Sequence, residues 1–365
     1  FMLSKEKQSI ETRKLQVSAG GSFFVVLPKE WSKEIGLKRG GMVNMFLEED
    51  GSIRIIPVEL SRTRVKVATL KVDEKTSPKS IDLFIKAHYM SGSDIVDIES
   101  DKRIEHEFKR FIKATVSDLI GVEIADEASN RLSLRAIVDP VGFPLENIFS
   151  RVCNLSTSIY LDSVKALKDK DLGLIEDAIE RSNEAMKLYR LIVRQLMISY
   201  SDRMVAKSLG IENAAECIIL AITARDVSRL IYHISQIGRV CKELIDLNLS
   251  LDDESTISKV LLKLLEEGYK MVTDVFKAFL ERNIQLASEI MDRMNEIRRL
   301  DEALTTEIFK NVKDIRVAVK LTAIIREIRR AAGHCVALAD DTIFNETTRL
   351  AYQIKQQQHK TVISL

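Results

Sequence analysis

Two stretches of the chain set arginines, an acid and a histidine at the same helical spacing. They are RDVSRLIYHISQIGR from Arg225 and REIRRAAGHCVALAD from Arg326, 101 positions apart. Arg225, Arg229, Arg326 and Arg330 stand about one helical turn apart within each stretch, which suits an anion or an acidic docking partner. With Asp226 and Glu327 beside them, they could equally close salt bridges within a helix or between bundles. His233 and His334 occupy matched positions, and one histidine per helix without nearby acids makes a poor metal site, so both read as core-edge residues. Glu180/Glu184 and Asp292/Glu296 are acid pairs four apart, a spacing at which like charges repel unless a counter-ion intervenes. They could hold a divalent ion weakly, or face water beside Arg181 and Arg293. From Phe1 to Asn44 bases outnumber acids eight to four, a balance that can neutralise phosphates. Arg13 and Lys14 are expected at a groove or a phosphate, and Lys29, Lys33, Lys38 and Arg39 at the nucleic-acid backbone. No nucleophile–base set, phosphate-cradling loop or metal-ligand spacing occurs. The expectation is a non-enzyme without a cofactor or metal.

These groups must be carried mainly on helices. Apolar residues recur at helical spacing through both arginine stretches, as in Val227, Leu230, Ile231, Ile234 and Cys241, so each is a long amphipathic helix. Self-similarity at this distance indicates a duplicated helical unit. A second match, Glu180–Glu184 with Asp292–Glu296, is offset by 112 positions. The second copy is thus shorter by about eleven residues between its second and third helices. At 365 residues the chain is long enough for several cores, and five prolines suit long helices. Its 55 basic and 54 acidic residues nearly cancel, so overall charge names no partner. Cys153, Cys217, Cys241 and Cys335 are scattered and read as reduced core thiols of a cytoplasmic protein. No apolar run reaches the roughly 18 residues of a membrane span.

Taken in order, the chain reads as a multidomain α+β protein, mainly α. Residues 1–60 form a β-rich module, with strands at Glu11–Val17, Phe23–Leu27, Met42–Glu48 and Ser52–Pro57 and a short helix opened by Pro28. Residues 61–142 form a small α/β connecting unit, with strand, helix, strand, helix and a hairpin, both helices on one face. Residues 143–248 and 249–365 are two tandem three-helix bundles. The first is expected at 145–170, 173–204 and 209–247, the second at 254–281, 284–311 and 315–346. The polar tail from Thr347 extends the last helix.

The order GGSFFVVLPKEWSKEIGLKRGGMVNMFLEEDGSIRIIP resembles the AbrB/SpoVT swapped-hairpin family. That resemblance implies an intertwined homodimer binding duplex DNA. LIEDAIERSNEAMKLYRLIVRQL, followed by ITARDVSRLIYHISQIGR, resembles the PhoU family of phosphate-signalling proteins, built from two tandem three-helix bundles. The fusion of the two is an archaeal-type arrangement. Together they imply a DNA-binding transcriptional regulator of phosphate homeostasis. The alternative implied is an adaptor docking on a phosphate ABC-transporter ATPase or a sensor kinase. Typical PhoU members carry acid–x–x–x–acid pairs on the second and third helices. Here the matching positions are Ser182 and Met186, Ser228 and Tyr232, Met294 and Arg298, and Arg329 and Gly333. None is a carboxylate, so the family's metal sites are not expected in this chain.

Overall fold

The structure, a computed structural model, describes residues 12–48, 51–58, 65–249, 251 and 255–362. They fall into two units, Phe1–Arg64 and Val65–Leu365.

In the first unit β1 (Gln16–Val17) pairs antiparallel with β2 (Phe23–Phe24) around Gly21, whose φ of 83° suits a residue without a Cβ. Pro28 opens α1 (Lys29–Glu34), and the Ser32 hydroxyl donates back to the Pro28 carbonyl at 2.9 Å. β3 (Val43–Leu47) and β4 (Ile53–Pro57) form the second hairpin. The first two strands are shorter than expected, and Glu11 lies outside the described residues. Among the described residues each hairpin is a separate two-stranded sheet. Among the described residues of this unit only Pro57 is buried, while Phe23 is 71% and Leu47 78% exposed.

The second unit opens with β5 (Val67–Lys71), α2 (Pro78–Met90), β6 (Ile95–Glu99), α3 (His106–Ser117), β7 (Val122–Glu127) and β8 (Arg131–Ala136). Its sheet runs β5-β6-β8-β7, with β5 parallel to β6 and the remaining pairs antiparallel. Ile81, Ile85 and Tyr89 of α2 and Ile112 and Val116 of α3 share one core with Val96, Ile98, Leu132 and Leu134. Both helices therefore cover the same face, as the strand and helix order implied.

A 3-10 turn at Pro140–Gly142 leads into α4 (Leu145–Asp169), α5 (Leu172–Ser201), the short α6 (Arg203–Ser208) and α7 (Ala214–Asp246). α8 (Thr256–Glu281), α9 (Ile284–Asn311) and α10 (Ile315–Val362) follow. The duplication is visible in detail. α4 and α8 end in left-handed residues, Lys170 and Arg282, with φ of 54° and 56°. Asp171 and Asn283 then cap α5 and α9 by accepting from Leu174 and Leu286 amides, each at 3.0 Å. Arg181 bridges to Asp162 in the first bundle, and Arg293 to Asp274 at the same offset in the second.

α7 begins at Ala214, five residues later than the periodicity predicted. Asn213 caps it through the Glu216 amide, and Gly210 turns with φ of 77°. α6 and this loop are the residues that the second bundle lacks. Cores of the two bundles are continuous, running from α4 and α5 through α7 to α8 and α10. Phe149 meets Phe279 edge-on at 5.1 Å across that seam.

The α/β unit is fastened to the first bundle by α5. Arg194 is 2% exposed and donates to the carbonyls of Tyr89 at 2.9 Å and Ser93 at 2.7 Å. Its guanidinium lies 5.1 Å from the Tyr89 ring centre and 3.5 Å from Asp94. Gln195 donates to the carbonyls of Pro140 and Phe143, and Arg190 to that of Asp118.

Candidate functional site

The two arginine stretches lie on α7 and α10, and these helices pack against each other. Their histidines meet. His233 and His334 stack with ring centres 5.4 Å apart and planes at 17°. The acids cross between copies: His233 Nδ1 is 2.8 Å from Glu327 Oε2, and His334 Nδ1 is 3.2 Å from Asp226 Oδ1. A reciprocal pair of this kind is what two copies related by an approximate two-fold would make. His233 and Glu327 are buried, and burial pulls the His233 pKa below its usual value against the opposing pull of Glu327. His233 is therefore neutral near pH 7, with Nδ1–H donating to the carboxylate, a tautomer assigned from that partner.

The arginines are placed differently from the acids beside them. Arg225, Arg229, Arg326 and Arg330 are all exposed. Arg326 reaches Glu327 at 3.2 Å, an intrahelical pair, while Arg330 acts on His233 by its charge. Inter-bundle bridges do form here, but from the acids to the histidines. On α7, Ile218, Ile222, Arg225, Arg229 and Tyr232 follow one another at helical spacing, all exposed, so the face is both apolar and cationic. Asp341 lies on α10 seven residues beyond His334 and is buried, with Oδ2 unpartnered among the described residues.

The acid pairs lie on the surface. Glu180 and Asp292 are exposed, and Glu184 pairs with Lys187. Glu296 takes both nitrogens of an Arg299 fork at 2.7 and 2.6 Å, with Lys263 at 3.4 Å, and Arg299 above all holds its pKa down to about 2. At the positions where the resembling family has carboxylates, Arg329 binds Asp301 at 2.8 Å and Ser182 meets Ser235 at 3.1 Å. Guanidinium and hydroxyl groups held by protein partners do not fit a metal ion. Among the described residues no group of three histidine, cysteine or acidic side chains could hold one. Likewise among the described residues, no helix is long and apolar enough to cross a membrane. All four cysteines are buried, and burial raises the Cys241 thiol to about 12.

In the first unit, Arg13, Lys14, Lys29, Lys33, Lys38 and Arg39 are all exposed. Lys29 and Lys33 lie on α1, and Lys38 and Arg39 on the turn whose Gly40 has φ of 80°. Arg13 and Lys14 precede β1.

Comparisons with known proteins fit this division. No curated protein matches the chain significantly. Among solved structures, the chain is similar to the phosphate transport system regulatory protein PhoU from Streptococcus pneumoniae. The identity is 20% and the TM-score 0.46, over 56% of this chain and 94% of that one. It is also similar to PhoU from Pseudomonas aeruginosa, at 18% identity and a TM-score of 0.48, over 55% of this chain and 94% of that one. The family described as antidote-toxin recognition MazE, bacterial antitoxin, matches residues 16–63. The PhoU domain family matches residues 149–244 and 261–342, which are α4 to α7 and α8 to α10. The helical part of the chain thus matches the PhoU domain twice over, and the stretch that precedes it in sequence matches the MazE family.

Proposed function

We propose that the protein is a DNA-binding regulator of phosphate homeostasis that dimerises through its first unit and uses its PhoU domains as sensor or docking modules. The observation that carries this reading is the absence of an interior in that unit. Phe23, Val26, Met42, Met45 and Leu47 are exposed on a module whose only buried described residue is Pro57. Apolar area of that kind needs a partner, and at about 25 cal/mol per Å² a second copy of the same hairpins would supply it. Six exposed bases on the same small unit provide the phosphate contacts. The PhoU domains supply the link to phosphate, and the MazE match is compatible with nucleic-acid binding.

The test is a gel shift with genomic fragments, run as a salt series beside a sedimentation measurement. The full chain should sediment as a dimer. For about six neutralised phosphates, affinity should fall roughly a thousandfold between about 50 and about 200 mM salt. Arg13→Ala with Lys14→Ala should weaken binding to all sequences and flatten the salt slope by about one unit per lost contact. A monomer, or binding indifferent to salt and to these substitutions, rejects the reading.

A second reading has its own observation, the exposed apolar and cationic stripe of α7. A protein adaptor, docking on a transporter ATPase or a sensor kinase, would use that face. Arg225→Glu with Arg229→Glu should then abolish capture of the partner from lysate while leaving DNA binding unchanged. If capture persists, α7 is not the docking face.

A further inference from the structure

We propose that the crossing of α7 and α10 is a proton-operated clasp, in which Asp341 holds the two PhoU domains together while protonated and loosens them once ionised. The geometry comes first. Asp341 is on the buried side of α10, 8% exposed, at the seam where α7 and α10 pack. One of its carboxylate oxygens has no partner among the described residues. The charges acting on it are Asp226 from α7 and Asp340 beside it on α10, and both repel a further negative charge. Asp226 is already committed to His334. Thr223 of α7 favours the charged form only when its single hydroxyl proton turns to Asp341, and that proton also has the Ile219 carbonyl within reach at 3.0 Å.

No cation is among the described groups acting on Asp341. Of the arginines on the same helix, Arg329 is held by Asp301 of α9 and Arg349 is bound to Glu346. On α8, Asp274 is held by Arg293 of α9. An ionised Asp341 is therefore a buried charge facing a like charge across the seam, and the cheapest relief is to part the helices or admit water. A protonated Asp341 is a neutral group that the seam can keep. The reciprocal histidine–acid pairs align the crossing, and Asp341 sets how tightly it closes.

Burial first, then Asp226 and Asp340, raise the Asp341 pKa to about 7, against an unfolded value of about 3.9. Between those limits the closed form holds a proton that the open form lacks. The contribution of Asp341 to closure is thus lost as pH rises, and the loss is complete above about 7. His233 acts oppositely, because its folded pKa lies below its usual value: its contribution to closure is lost as pH falls. A comparison with Asp341→Asn, which keeps the histidine contribution and removes the carboxylate, separates the two.

The experiment is hydrogen exchange of the α7 and α10 amides in the full chain at about pH 5.5 and about pH 8.5, corrected for intrinsic rates. The opening ratio, wild type over Asp341→Asn, should rise at least about tenfold across that interval. A ratio that does not change with pH overturns the proposal. Asp226→Asn guards against a variant that fails to fold. Removing the facing charge should displace the midpoint of the pH-dependent rise in opening downward; an unmoved midpoint also overturns it. Neither outcome depends on DNA binding, so the clasp stands or falls apart from the proposed function.

Discussion

Arg194→Ala should release the α/β unit from the first bundle, at a cost of about 3 kcal/mol. That figure counts two charge-assisted hydrogen bonds, at about 1.5 to 3 kcal/mol each before relaxation. The Tyr89 carbonyl keeps the Gly92 amide as a partner at 3.1 Å, so the loss there is partial. The Ser93 carbonyl and the Tyr89 ring lose the guanidinium outright. Burial lowers the Arg194 pKa, with Tyr89 and Asp94 opposing, but arginine remains charged at neutral pH. The anchor is also steric. Gly92 turns at φ of 85°, and a Cβ built there would lie 3.0 Å from the Ile198 side chain. Because the unit has its own core, the expected result is local. Amide protection in α2 and β6 should fall by about two orders of magnitude, while that in α8 and α9 stays unchanged. Arg194→Lys should recover only part of it, since an ammonium cannot span both carbonyls and stack on the ring. Equal loss of protection in every helix would show that the contact is not a local fastening.

Much of this architecture was legible because duplication leaves two independent readings of one pattern. Lys170-Asp171 and Arg282-Asn283 mark the same turn, and Arg181 and Arg293 reach equivalent acids. What the sequence could not supply is adjacency. Periodicity shows which face of α7 and α10 is apolar, but not that each faces the other, so from the sequence both histidines stand at a core edge with no partner. The matched position of His233 and His334 was a usable signal: a residue on the duplicated seam meets the copy of itself. Arg194 is hidden in the sequence for another reason. An arginine inside a helix ordinarily reaches water, and only the buried carbonyls of Tyr89 and Ser93 give it a different destination. The first unit shows the reverse case. Its turns and α1 are local chemistry and were readable. Its two leading strands are shorter than the apolar runs imply, and among the described residues they pair only with each other.

The sharpest test of the shared bundle core is Gly268 on α8. Alanine is the better helix former by about 1 kcal/mol, so an exposed glycine replaced by alanine would gain stability. Here a Cβ would overlap the Tyr160 hydroxyl and stand 3.0 Å from Ile328 Cγ2. Tyr160 is fully buried on α4, with Tyr269 at 6.1 Å between ring centres, so the ring cannot simply swing away. Overpacking of this kind costs about 1 to 3 kcal/mol, so after the helix-propensity gain Gly268→Ala should lose up to about 2 kcal/mol net. The obstructing atom is itself dispensable. The Tyr160 hydroxyl has no hydrogen-bond partner among the described residues, and burial raises its pKa well above the usual phenol value. Removing an unpartnered buried hydroxyl leaves nothing else unsatisfied, so Tyr160→Phe should be neutral or stabilising by up to about 1 kcal/mol. In the double variant the nearest remaining atoms are Ile328 Cγ2 at 3.0 Å and Tyr160 Cζ at 3.3 Å from the new Cβ, and the terminal methyl and the ring need give only a few tenths of an ångström. Gly268→Ala/Tyr160→Phe should therefore regain at least wild-type stability, with a coupling of about 2 kcal/mol in a double-mutant cycle. Additive effects would mean that the glycine is required by something other than the tyrosine. That outcome would remove the case that α4 and α8 close on each other at this point.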